Sequence, residues 1–312
     1  MAEPRTAILC AGQGAQAVGM GRDLADAFAE ARAIFERADA LLGLPLSRTC
    51  FDGPPETLNA TDIAQPAIFV TGAAIAAALR AAGAMPAAGA AAGLSLGEYT
   101  ALYVAGALSF DDGLRLVRRR GQLMQEACEA NPGGMVSVLK LDPERVEALC
   151  DEARGAGALT CANYNGPGQI VVSGTTDACQ RIAELARSAG GMAVPLTVAG
   201  AFHSELMRSA ADGLAAELEQ VPIQPPAMPV IANVTAEPHA APASIRRRLA
   251  EQLVGPVRWQ QSMQRLIADG VTRAVEIGPG RVLAGLMRRI DRRVEVVTVS
   301  TADDVAALAR NR

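Results

Sequence analysis

The chain has 312 residues, half of them hydrophobic but only 3% aromatic, and a formal net charge of −4. That length suits one large domain, or a large domain with a small one, whose core must rest on Ala, Leu, Val and Ile. Its 29 basic residues are arginines except for Lys140, and no strongly basic region points to nucleic acid. The arginine runs at 118–120, 246–248 and 288–289 read as solvated helix faces or as small basic patches for an acidic partner. Six scattered cysteines show no C-x-x-C and no metal-ligand spacing, so no metal is expected and they read as small buried hydrophobes. Residues 1–5 lack the apolar core of a signal peptide, and no apolar run approaches the length of a membrane span, Arg80 interrupting the longest candidate at 73–85. A soluble cytoplasmic protein is expected.

Residues 6–10 predict a short buried strand, followed by the turn Gly12-Gln13-Gly14-Ala15-Gln16. The turn fits neither a dinucleotide-binding loop nor a P-loop. It offers backbone N–H groups at a strand's C-terminal end, where ligands of open α/β sheets bind. Helical periodicity covers 23–42, a Gly/Pro loop follows at 52–56, and a second helix spans 61–79, opening near Gln65-Pro66. The Ala-rich run 87–92 predicts a strand, 99–108 a helix, and 112–130 another helix capped by Ser109.

From Asn131 the texture changes. Strand 135–139, helix 142–154, strands 159–164 and 169–173, helix 175–188 and strand 192–198 follow in the ferredoxin-like order β-α-β-β-α-β. This reads as a small subdomain, 132–198, inserted into a discontinuous α/β domain made of 1–131 and 199–312. The second part continues with helix 203–219, strand 229–233, helices 244–253 and 259–269, strand 271–277, helix 283–290 and strand 294–299.

Chemistry concentrates at Gly93-Leu94-Ser95-Leu96-Gly97-Glu98, between a buried strand and a helix. The G-x-S-x-G spacing is that of a nucleophile elbow, a turn too tight for side chains beside the serine. The helix that follows aims unpaired N–H groups and the positive end of its dipole at the serine, which suits an oxyanion. Ser95-x-x-Glu98 is equally a capping box, which needs no catalysis. A serine nucleophile needs a base, and the chain has two histidines. His239 lies in a proline-flanked loop and is expected on the surface; His203, between a strand and a helix, is the better candidate.

Six motifs then occur in order: 12–16, 93–98, Arg120-Gly-x-x-Met124-Gln125, Ala162-Asn163-Tyr-Asn165-x-Pro-Gly-Gln169, Gly200-Ala-Phe202-His203-Ser204, and Glu276-x-Gly-Pro-Gly280. Over about 6–298 the chain resembles the malonyl-CoA:acyl carrier protein transacylases, the acyltransferases of fatty-acid and polyketide synthesis. The resemblance implies an α/β-hydrolase-like large domain with an inserted ferredoxin-like subdomain. It implies ping-pong malonyl transfer from malonyl-CoA to the phosphopantetheine thiol of an acyl carrier protein, through a Ser95 acyl-enzyme with His203 as base and acid. The oxyanion falls to the N–H groups of Gln13 and Leu96, and the Gln252 carbonyl orients His203. Arg120 pairs with the malonyl carboxylate, Met124 and Phe202 border it, and Asn163 and Gln169 lie toward the active face.

No cofactor beyond the two substrates is implied, no nucleic acid or membrane is involved, and a monomer is expected. One departure stands out: Leu94 occupies the place where most relatives carry histidine. Two other readings stay open on the residues alone, an acyl-enzyme hydrolase or editing acyltransferase, and a non-catalytic docking protein for carrier proteins.

Overall fold

The computed structural model describes residues 5–310; the opening 1–4, read above as part of a leaderless N-terminus, lies outside the described residues. The fold is α/β, with one parallel and one antiparallel sheet. The parallel sheet contains β1 (Arg5–Cys10), β2 (Ala88–Gly93), β7 (Val230–Ile231), β8 (Val271–Ile277) and β9 (Glu295–Val299) in the order β7-β2-β1-β8-β9. Apolar clusters lie on both faces, so β1 is buried continuously rather than alternately. Cys10 pairs with both Gly93 and Ile277, so the three central strands end at one level. Their exit loops, beginning at Ala11, Leu94 and Gly278, therefore converge on one edge.

The antiparallel sheet contains β3 (Gly133–Leu139), β4 (Leu159–Gly166), β5 (Gln169–Thr175) and β6 (Met192–Pro195) in the order β4-β5-β3-β6. Helices Pro143–Arg154 and Thr176–Ser188 cover it through Val146, Leu149, Ile182 and Ala186, which meet Val136, Val138, Ile170 and Val172. Two backbone hydrogen bonds, Tyr164 N–H to Val257 O at 2.9 Å and Val257 N–H to Ala162 O at 2.8 Å, tie it to the rest of the protein.

Helix Thr61–Ala81 is the central core helix. Its mean hydropathy of 1.5 makes it apolar and long enough to cross a membrane, contrary to the reading of the sequence, yet 83% of the stretch is buried inside the protein. The helix opens a turn earlier than expected and keeps Pro66 inside. Proline lacks the N–H that would bond the Asp62 carbonyl, and the Arg118 guanidinium donates to that carbonyl instead. Helix Phe110–Ala130 crosses closely here because position 121 is glycine: a Cβ would lie 2.8 Å from Asp62 Cα.

Other boundaries moved as well. The expected helix 23–42 is broken at Phe28 into Arg22–Ala27 and Ala29–Leu42. Leu24, Ala25, Ala31 and Phe35 are buried on both sides of the break, so the apolar pattern carries no mark of it. Short helices Leu46–Asp52 and Pro55–Asn59 flank the Gly/Pro loop, and a last helix, Ala302–Arg310, was not anticipated.

Candidate active site

The elbow is a physical necessity of its sequence. Ser95 has φ 51°, in the left-handed region. A Cβ on Gly93 would lie 1.9 Å from the Gly97 carbonyl carbon, and one on Gly97 would lie 2.1 Å from Cys10 O. Both contacts are to backbone and cannot be relieved by a rotamer change. Gly97→Ala should therefore lower stability by at least about 2 kcal/mol, seen as a fall in Tm or as insoluble protein. A Tm equal to wild type would show that β1 and the helix Gly97–Val104 can move apart.

Ser95 Oγ lies 2.8 Å from His203 Nε2, and His203 Nδ1 lies 2.7 Å from Gln252 O. A carbonyl only accepts, so Nδ1 carries the hydrogen and Nε2 presents its lone pair to the serine hydroxyl. His203 is also left-handed, at φ 57°, and only 4% exposed. Burial pushes its pKa down to about 4, with the Arg120 charge adding to the fall and the Gln252 carbonyl opposing it. The imidazole is thus a free base at neutral pH.

Arg120 is 1% exposed, which removes it from the solvated face expected for the 118–120 run. Its Nη2 donates to Ser95 Oγ at 3.0 Å and Gln252 Oε1 at 2.9 Å, and its Nη1 to Gln65 Oε1 at 2.6 Å. Burial lowers its pKa, and Tyr99 and Glu98 oppose the shift. Among the described residues no carboxylate pairs with it directly, and its Nε–H has no partner. A buried guanidinium without a counter-ion beside a reactive hydroxyl is a site for a ligand carboxylate.

Ser95 and His203 open into a cleft of about 680 Å³ between the two sheets, and Arg120 reaches Ser95 Oγ from behind its lining. Gln13, Leu94, Ser95, Met124, Phe202 and His203 line one side; Met135, Asn163, Val171 and Leu196 line the other. The N–H groups of Gln13 and Leu96 have no hydrogen-bond partner among the described residues, and Leu96 is the N-cap of the helix Gly97–Val104. Leu94 adds an apolar wall where a polar side chain was the family expectation. Gln169 is elsewhere, at the start of β5, where Arg289 Nη1 donates to it at 2.8 Å. Glu276 is structural: its carboxylate accepts the N–H groups of Leu283 and Ala284 at 2.9 Å each, at the opening of helix Val282–Ile290.

Two expectations fail here. The capping box does not form: the Ser95 N–H donates to Asn233 Oδ1 at 2.7 Å, and Glu98 turns into the core. His239, expected on the surface, is 6% exposed and donates from Nε2 to Glu98 Oε1 at 2.8 Å. The chain returns from its proline-flanked loop to pair with β7, His239 N–H donating to Val230 O, and this carries the ring inward. Asn233, Gln65 and Glu98 were missed as site residues; a glutamate amid Leu, Gly, Tyr and Ala was the signal available for Glu98.

The acyl transferase domain family matches residues 8–311. Malonyl CoA-acyl carrier protein transacylase of Bacillus subtilis is 42% identical over 303 residues, covering 96% of this chain and 95% of that protein. The solved structure of the Coxiella burnetii malonyl CoA-acyl carrier protein transacylase superposes with a TM-score of 0.95 at 35% identity, covering 98% of both chains. A malonyl-transacylase solved in complex with a type II polyketide synthase acyl-carrier protein gives 0.95 at 37% identity, covering 99% of this chain and 100% of that one. The chain belongs to the acyl transferase family, among the malonyl-CoA:acyl carrier protein transacylases. It is an enzyme of the acyltransferase class.

Proposed function

We propose that the enzyme transfers a malonyl group from malonyl-CoA to the phosphopantetheine thiol of an acyl carrier protein by a ping-pong route. The observation that carries this reading is the counter-ion-free guanidinium of Arg120, 3.0 Å from Ser95 Oγ, with His203 2.8 Å away from the same oxygen. Ser95 Oγ attacks the thioester carbonyl while its proton passes to His203 Nε2. The unpartnered N–H groups of Leu96 and Gln13 hold the oxyanion, each worth about 3 kcal/mol in the transition state. The C–S bond breaks and the CoA sulfur leaves with the proton from His203. The carrier's thiol then gives its proton to His203 and attacks the Ser95 ester, which releases the serine hydroxyl. Arg120 holds the malonyl carboxylate throughout, with Met124, Phe202 and Asn163 bordering the acyl group.

We read the enzyme as a cytoplasmic monomer that needs no cofactor or metal. We also read it as an α/β-hydrolase-like domain (1–131 and 199–312) carrying a ferredoxin-like subdomain (132–198), which the β-α-β-β-α-β order of the second sheet supports. Intact mass spectrometry after incubation with malonyl-CoA tests the chemistry. Wild type should gain one malonyl group that moves to added holo carrier protein, and Ser95→Ala should gain none. An adduct that decays equally fast without carrier protein would identify a hydrolase, and no adduct at all would leave only a docking protein.

A further inference from the structure

Beneath Ser95 lies a second layer of enclosed polar groups. Glu98, 1% exposed on the helix Gly97–Val104, accepts hydrogen bonds from three separate segments. His239 Nε2 donates to Oε1 at 2.8 Å; the Asn233 backbone N–H and Gln252 Nε2 donate to Oε2 at 2.9 and 2.8 Å. Gln252 passes the arrangement upward. Its Nε2 also donates to Ser95 O at 3.1 Å, its Oε1 accepts from Arg120, and its backbone carbonyl holds His203.

A side-chain amide can face either way, and its neighbours decide. A carboxylate on one side demands the NH₂ end; a guanidinium on the other demands the oxygen. Glu98, together with Ser95 O, therefore sets the orientation of Gln252 that lets Arg120 sit beside Ser95. Glu98 Oε1 has His239 as its partner, and His239 Nδ1 is buried without one among the described residues. The ring's hydrogen is accordingly best placed on Nε2, aimed at the carboxylate.

We propose that His239 is a positioning residue for acyl-group selection: through Glu98 it fixes the Gln252 amide and so presents Arg120 to the substrate carboxylate. The inference rests on reading Arg120 as the malonyl anchor. Loss of the donor strands a buried carboxylate oxygen, and a Glu98 that rotates to find another partner leaves the NH₂ end of Gln252. Gln252 then has only Ser95 O and the longer Asn233 Oδ1 contact on its NH₂ side, and it holds the Arg120 guanidinium less firmly beside Ser95. The Ser95–His203 pair is spared, because His203 is held by the backbone carbonyl of Gln252 and not by its amide. The effect is thus specific to substrates that use Arg120.

The test is acylation kinetics with malonyl-CoA and acetyl-CoA for His239→Gln, His239→Asn and His239→Leu, with Arg120→Ala as reference and Tm measured throughout. Glutamine places an N–H donor near the position of His Nε2; asparagine stops short of it and leucine has none. The Asn and Leu variants should lower the malonyl-to-acetyl preference about tenfold, mainly through KM for malonyl-CoA, while the Gln variant stays within about twofold of wild type. If leucine prevents folding, asparagine carries the comparison. A preference that falls equally in all three, or holds in Asn and Leu while Arg120→Ala collapses it, overturns the proposal and leaves the anchor intact. A preference unmoved by Arg120→Ala overturns the anchor itself.

Discussion

His203→Ala is expected to slow acylation by malonyl-CoA on the order of 10³-fold while the protein stays folded. Among the described residues the other group on Ser95 Oγ is the Arg120 guanidinium, a donor that cannot take the proton from the serine. The same burial makes a pH prediction. With its pKa pushed down to about 4, His203 is already a free base well below neutrality. Acylation should be flat from roughly pH 5.5 to 7.5, whereas a solvated histidine would halve the rate near pH 6.5. Stability moves in a defined direction too. Between the unfolded value of 6.5 and about 4, the unfolded chain binds the proton that the folded chain refuses. This contribution is fully present above pH 6.5 and is lost as pH falls, by at most roughly 1.4 kcal/mol per pH unit. Urea denaturation at pH 7 and pH 5 checks it: wild type should lose more stability than His203→Ala. An acidic limb in the rate near pH 6.5 would show that the site is wetter than its geometry implies.

Arg120→Ala should cut malonyl transfer by roughly 30- to 4,000-fold, the range for removing one partner of a buried charge pair, about 2–5 kcal/mol. Acetyl transfer should hold or rise, because an acetyl group leaves the guanidinium uncompensated and its removal relieves that penalty. Arg120→Lys is not conservative here. The planar fork reaches Gln65, Gln252 and Ser95 at once, and a single ammonium cannot. Competition between malonyl-CoA and acetyl-CoA, read as the ratio of the two adducts on Ser95, measures the change directly. An unchanged ratio would remove Arg120 from selectivity.

The local parts of this site were legible in the sequence because they depend on short-range sterics. Gly93 and Gly97 flank Ser95 since backbone fills the space a Cβ would need, and such a turn announces itself in five residues. Gly121 beside Arg120 belongs to the same class, since its missing side chain lets one helix approach another. What the sequence hid is long-range polar pairing. Glu98 and His239 are 141 positions apart and meet only after β7 joins the sheet, so the proline-flanked loop around His239 looked like surface. Gln65 looked like part of a helix opening, and no local rule says that its amide will receive a guanidinium 55 positions away. The broken helix at Phe28 escaped for another reason: burial on both sides of the break keeps the helical period.

Ser95 and His203, alone among the residues that meet at the reacting oxygen, are both non-glycine residues at positive φ. Each such conformation costs roughly 1–2 kcal/mol, which the surrounding packing must absorb. At these two positions, durability and chemistry are therefore in opposition. A glycine at either relaxes the backbone while removing the nucleophile or the base, so crippled copies of this enzyme can be as abundant and heat-resistant as active ones. Yield, solubility and melting point are consequently poor proxies for competence in this protein, and any selection for sturdier variants has to be coupled to an acyl-transfer readout.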